Sequence, residues 1–301
     1  MIYNIYHETK FKYATLVTFS HNIARLKPKE YENQKLLEYS LEIEPTPYEA
    51  SEFIDYFENT NNFMLIREAH TTLKVIAKSK VERNTQRIND YIENLKNTII
   101  TVKEVKERLK EFHSEDALAK QFLFDTDSIP NPSDEIKNYI LESFNDDRIF
   151  FEAVNEFMER IFNDFEFVSG FTDITTPIEV VFKEKKGVCQ DFAQFAISAL
   201  RSIGIPTKYV SGYIQTIPHE GKEKLFGADA SHAWFSVYIP TFGWADFDPT
   251  NNKIPNEEYI ILGYGRDYLD ISPLKGVVQS SGGSSLEVKV NVEALKDELE
   301  A

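Results

Sequence analysis

Gly187-Val188-Cys189-Gln190-Asp191-Phe192-Ala193 leads into a segment that runs to Gly204 with no internal glycine or proline. Cys189, Phe192, Ala193, Ala196, Ile197, Leu200 and Ile203 recur at helical spacing, so the segment is predicted to be a helix with one buried stripe. Its first turn carries the only cysteine of the chain. Just upstream, Thr176-Pro177-Ile178-Glu179 predicts a short helix ending before Gly187. Threonine would cap it, proline would take the first helical position, and glutamate would close a capping box. Downstream the pattern changes to strands over 208–215, 232–239, 244–248, 259–262 and 286–292. A central helix set against antiparallel strands follows.

A thiol attacks a carbonyl only as the thiolate. A helix N-terminus favours that anion through its free N–H groups and the positive end of the helix dipole. Cys189 holds such a position, although a lone buried cysteine is more often a small core hydrophobe. A base is offered by His232-Ala233-Trp234-Phe235-Ser236-Val237-Tyr238-Ile239. There Ala233, Phe235, Val237 and Ile239 form a core face, while His232, Trp234, Ser236 and Tyr238 form an amphipathic one that could look into a cleft. A carboxylate is offered by Trp244-Ala245-Asp246-Phe247-Asp248-Pro249. Pro249 biases Asp248 to extended backbone. A hairpin through residues 240–243 would bring Asp248 beside His232, where a carboxylate fixes the imidazole tautomer. Asp246, two residues before it, could compete for that task or add negative charge to the site.

Residues 1–83 read as β-structure. Residues 37–44 alternate apolar and polar without exception and stop at Pro45, and residues 73–81 alternate except at Ile76, which suggests a small antiparallel sandwich or half-barrel. From about Arg87 to Phe112 a single amphipathic helix is predicted. Ser133 is placed to cap the next helix, and another covers about 148–165.

Three blocks now stand in order: Gly187-Val188-Cys189-Gln190-Asp191-Phe192-Ala193, Ser231-His232-Ala233-Trp234 and Asp248-Pro249-Thr250-Asn251. Together they resemble the signature blocks of the transglutaminase-like superfamily, and in particular its bacterial group with a β-rich N-terminal region. Residues 20–22, 25–28, 201–206 and 265–268 fit the same group. The resemblance implies an α+β fold. An N-terminal antiparallel β-sandwich-like domain (residues 1–83) would precede a helical segment and a papain/transglutaminase-like core (84–301), with the cysteine helix packed on an antiparallel sheet. It also implies Cys189 as nucleophile, His232 as base and Asp248 as the residue orienting that base. Gln194 departs from the pattern, since relatives often carry histidine there. The implied reaction is acyl transfer on a peptide or protein amide through a thioester, with hydrolysis, as by a cysteine protease or amidase, as the default outcome. Transfer to an amine, as by a transglutaminase, and a non-catalytic binding module retaining the fold are the alternatives. The Cys189 N–H would be one oxyanion donor, and Gln190, Tyr209 and Tyr213 are candidates for the second.

The composition agrees with a globular protein: 42% apolar and 13% aromatic residues over 301 positions. The net charge of −16 argues against a nucleic-acid partner. No apolar run approaches the ~20 residues of a membrane span, and the N-terminus lacks an export signal, so no membrane association and a cytoplasmic location are expected. One cysteine permits no internal disulfide, and His7, His21, His70 and His113 show no ligand spacing, so no cofactor or metal is expected. His219 reads as a solvated loop residue, Asp191 as a dipole partner or a neighbour of the thiol, and Arg266 with Asp267 as a buried pair or a surface turn. Residues 280–285 read as a flexible hairpin loop.

Overall fold

The computed structural model describes residues 1–215 and 229–295. His219 lies outside the described residues. The chain begins with six strands, β1 (Ile2–Val17), β2 (Ser20–Ala24), β3 (Gln34–Glu44), β4 (Glu49–Ile54), β5 (Thr60–Ile66) and β6 (His70–Arg83). The helical stretch that follows contains α1 (Thr85–Lys96), α2 (Val102–Lys110), α3 (Asp134–Leu141) and α4 (Phe150–Asp164). Next come a two-residue strand β7 (Glu166–Phe167), α5 (Ile178–Glu184), its parallel partner β8 (Lys186–Gly187) and α6 (Cys189–Ser202). The chain continues through β9 (Thr207–Ile214), β10 (Ser231–Ile239), β11 (Gly243–Phe247), β12 (Tyr259–Gly265), α7 (Tyr268–Ile271), β13 (Leu274–Val278) and β14 (Ser284–Leu295). The α+β class and the cysteine helix on an antiparallel sheet are both present.

Two four-stranded sheets form the N-terminal region, in the orders β14-β1-β6-β3 and β13-β2-β5-β4. Their apolar faces enclose Val17, Leu26, Met64, Ile66, Leu73 and Val75. The last two strands of the chain therefore lie in these sheets, crossing back over the boundary expected at residues 83/84. β14 pairs with β1 from Ile2↔Leu295 to Tyr13↔Ser284, and β13 pairs with β2. Residues 280–285 consequently link two different sheets instead of turning a hairpin. Alternation in 286–292 correctly marked a strand, but a period of two cannot say which sheet receives it.

The third sheet, β11-β10-β9-β12, carries α6 on one face. The opposite flank of α6 is covered by α3 and α5, so every residue from Asp191 to Arg201 is buried instead of one stripe. The buried Arg201 guanidinium fastens the end of the helix by donating to the carbonyls of Thr207, Phe124 and Arg266. Both faces of β10 are buried as well. The face expected to look into a cleft is covered: Trp234 packs with Val210 and Tyr259, and Tyr238 donates to Asp116 at 2.7 Å.

Local signals also differ in two places. The helix expected over 87–112 is two, because Thr101 and Glu104 form a reciprocal capping box that starts α2 afresh. The box expected at Thr176 does not form: Thr176 Oγ1 accepts from Asp173 N, Pro177 is the cap, and Glu179 accepts from both the N–H and the hydroxyl of Ser133. Ser133 also caps α3 as expected. Among the described residues no helix is long and apolar enough to cross a membrane.

The placement of β14 generates a prediction. Val290 and Val292, fully buried, complete a cluster with Tyr3, Ile5 and Tyr213. A chain ended after Gly283 should melt at least about 10 °C lower or lose cooperative unfolding, since several buried side chains lose their cover at once. An unchanged melting curve by circular dichroism would contradict this role.

Candidate active site

The site is built from one helix tip and one end of a sheet. Val188, with extended backbone, precedes the first turn of α6, and its N–H donates to Asp191 Oδ2 at 2.8 Å. Thr172 Oγ1 donates to the same oxygen at 2.5 Å. Asp191 thus caps its own helix and ties the 170s loop to it; burial raises its pKa, against those two hydrogen bonds. The fit is close enough that a Cβ on Gly187 would stand 2.8 Å from Asp191 Oδ2. Cys189 follows this anchored turn as a free, half-buried thiol.

His232 lies on β10 opposite Gly212 of β9. Gly212 has no room for a side chain, because a Cβ there would meet the Ile260 carbonyl at 2.1 Å and the Trp234 ring at 2.6 Å. The β10–β11 hairpin pairs Phe235 with Phe247, which leaves Asp248 level with the beginning of β10. His232 Nε2 donates to Asp248 Oδ2 at 2.7 Å. Since Nε2 is taken, Nδ1 is the ring nitrogen left to face the thiol, and Cys189 is near enough to the ring to help raise its pKa. The structure therefore brings Cys189, His232 and Asp248 together.

Asp248 is fully buried and held from four sides. Besides His232, Tyr259 Oη and Asn251 Nδ2 donate to Oδ2, each at 2.7 Å, and Thr250 N donates to Oδ1 at 2.9 Å. Backbone bonds in both directions between Asp248 and Lys253 close the turn. Burial alone would lower the His232 pKa, but the charge and hydrogen bond of Asp248, then the thiol, outweigh it and raise it to about 10. For Asp248 burial acts upward and is outweighed by the imidazolium and by the donors from Asn251 and Tyr259, so its pKa lies below the ordinary value. At neutral pH the pair is imidazolium and carboxylate.

Other residues named from sequence fall elsewhere. Asp246 accepts from the Trp234 indole at 3.2 Å and does not orient His232. Gln194 Oε1 accepts from Tyr268 N. Arg266 pairs with Asp270 at 2.8 Å, whereas Asp267 caps α7, so of the two readings the buried Arg266–Asp267 pair does not form. Tyr213 Oη contacts His7 Nδ1 at 2.9 Å, inside the junction with the N-terminal sheet. Tyr209 is near the thiol: burial raises its pKa most, and among charges Cys189 acts on it most strongly. Among the described residues no group of three or more His, Cys, Asp or Glu could hold a metal. Sequence reasoning missed Tyr259 and Asn251 as partners of Asp248. Asn251, three residues on in a proline turn, was open to inference; Tyr259, eleven residues on in another strand, carried no local signal.

The buried pair generates a pH prediction. The raised His232 pKa contributes stability that is full below about pH 6.5 and lost as pH rises through about 10. The lowered Asp248 pKa contributes stability present above about pH 3.8 and lost as pH falls below it. Asp248→Asn should therefore lower the melting temperature most near pH 4–6.5, with the difference from wild type shrinking towards pH 10. A difference independent of pH would contradict the charged pair.

Comparison with known proteins agrees with this architecture. Residues 3–82 match the model of the bacterial transglutaminase-like N-terminal region, and residues 135–249 match that of the transglutaminase-like superfamily. An uncharacterized protein of Mycobacterium tuberculosis is 33% identical over 96% of this chain and 92% of its own length. One from Mycobacterium leprae is 28% identical over 97% and 98%. A solved structure from Cytophaga hutchinsonii, described provisionally as a cysteine protease, shares the fold with a TM-score of 0.75 at 21% identity, covering 99% of this chain and 92% of its own. With both halves of the pattern present and a relative at 33% identity along nearly the whole chain, this protein belongs to the transglutaminase-like superfamily.

Proposed function

We propose that the protein is a cysteine-dependent acyl-transfer enzyme acting on amide bonds, with Cys189 as nucleophile, His232 as proton carrier and Asp248 as the residue that holds the ring. The observation that carries this reading is the His232 imidazole held by a buried Asp248, with the Cys189 thiol near enough to act on the ring. Sulfur donates an electron pair to the amide carbonyl carbon, and the carbonyl oxygen becomes an oxyanion at the first turn of α6, where the Cys189 N–H is available. Collapse expels the amine, which takes the proton from His232, and leaves a thioester. Water, giving a proton back to the ring, then releases the acid and expels the sulfur as thiolate beside the imidazolium, the state from which attack began. The provisional description of the Cytophaga relative points the same way, to hydrolysis.

Hydrolysis is the preferred outcome because water needs no binding site of its own. A digest of a broad peptide library should show cleavage by wild type and none by Cys189→Ala. His232→Ala should fall at least about a thousandfold in kcat/KM, the scale seen when one member of a coupled triad is removed. With a slow ester substrate, intact-mass spectrometry should find the acyl group on Cys189. Incorporation of a labelled primary amine into a glutamine-rich protein, with no peptide cleavage, would assign transamidation instead. No acylation of Cys189 by any amide or ester would leave a non-catalytic binding module.

A further inference from the structure

Behind the His232–Asp248 pair lies a partly open space that the proposed reaction does not use. This cavity of about 280 Å³ sits where the N-terminal region meets the third sheet, and Arg83, Lys208, Trp234, Trp244, Asp246 and Tyr264 are among its walls. Lys208 is only 6% exposed, and its Nζ stands 4.3 Å from the centre of the Trp244 ring and 3.9 Å from that of Tyr264. These ring faces attract the cation. Among the described residues no hydrogen bond from the Lys208 ammonium, which has three donors to place, accompanies these ring contacts, and its Nζ is not among the fully buried unpartnered atoms, so it keeps access to the cavity.

Arg83, 3% exposed, spends its terminal nitrogens on Asn33 Oδ1, Gln34 Oε1 and the Asn256 carbonyl, but its Nε has no partner. Asp246 supplies one negative charge and already accepts from the Trp234 indole. Among the wall residues two cations and one carboxylate leave one positive charge in excess, while from outside the wall Glu257 acts on Arg83 and Lys29 on Lys208. Buried donors without acceptors are costly, and a buried charge is tolerated when something pairs with it.

We propose that this cavity binds a small monocarboxylate, whose oxygens accept from Lys208 Nζ and Arg83 Nε while its apolar body lies against the aromatic wall. The volume lies at the small end of ligand pockets. A multiply charged anion would be opposed by Asp246, and the rings suit an apolar body better than a bare halide. Trp234 lies 6.0 Å from the His232 ring, centre to centre, and Tyr259, also a wall residue, donates to Asp248. An occupant therefore sits one residue behind the imidazole. The site stands independently of the acyl-transfer reading.

Both tryptophans of the chain line the cavity, so intrinsic fluorescence reports on it directly. Wild type is titrated with acetate, butyrate and benzoate, and with benzamide as the uncharged counterpart of benzoate, at constant ionic strength. The expected result is a saturable change with at least one carboxylate, and binding of benzamide at least tenfold weaker than that of benzoate. Lys208→Met, folded by far-ultraviolet circular dichroism, should bind at least tenfold more weakly than wild type. If that variant does not fold, the wild-type comparisons still decide. No saturable change with any of the three carboxylates, equal binding of benzamide and benzoate, or full affinity in folded Lys208→Met would overturn the proposal.

Discussion

A protonated imidazole and an ionised carboxylate, both removed from water, are stable only in contact and only when their remaining hydrogen-bonding capacity is met. His232 and Asp248 satisfy both conditions, at 2.7 Å and with Tyr259, Asn251 and Thr250 completing the shell of the carboxylate. That pair constrains the geometry around it. The register of β10 against β11 must be kept, because a slip by one residue would turn Asp248 away from the ring. β12 must lie where Tyr259 can reach the same oxygen.

The remaining architecture supports these requirements. The third sheet sets the spacing of His232, Asp248 and Tyr259, and α6 lies across it so that its N-terminal tip arrives at the imidazole. Arg201 fixes the far end of α6, and Asp191 fixes the near end through Val188 and Thr172. The N-terminal sheets, closed by β13 and β14, meet the third sheet where Tyr3, Ile5 and Val81 pack with Tyr213, Ile260 and Leu262. His7 at this junction is so enclosed that burial lowers its pKa to about 4, so it packs as a neutral ring against Tyr213.

Much of this was legible in the sequence, for physical reasons. The helix from Cys189 was marked by its stripe and by Gly204, and the strands around it by their alternation. The meeting of His232 with Asp248 followed from a short hairpin, a local feature with few alternatives. What could not be read depended on partners distant in the chain. Alternation in β10 suggested a wet face, yet both faces are buried, with Tyr238 bonded to Asp116 of the helical stretch, and no local pattern reports such a cover. Thr176 looked like a helix cap, but Asp173 and Ser133 compete for the same groups and win. Lys208 and Arg83, ordinary basic residues in a strand pattern, meet across a cavity only because two regions of the chain are pressed together.

The most direct test of the convergence at the helix tip compares one thiol with itself. Cys189 is the only cysteine, so its alkylation by iodoacetamide can be followed at near-neutral pH in the native chain and again in urea. A sulfur held beside an imidazolium at a helix N-terminus should react faster when the chain is folded, and His232→Ala should remove that advantage. Slower alkylation in the native chain than in urea would show a sulfur merely packed away, and would contradict the account.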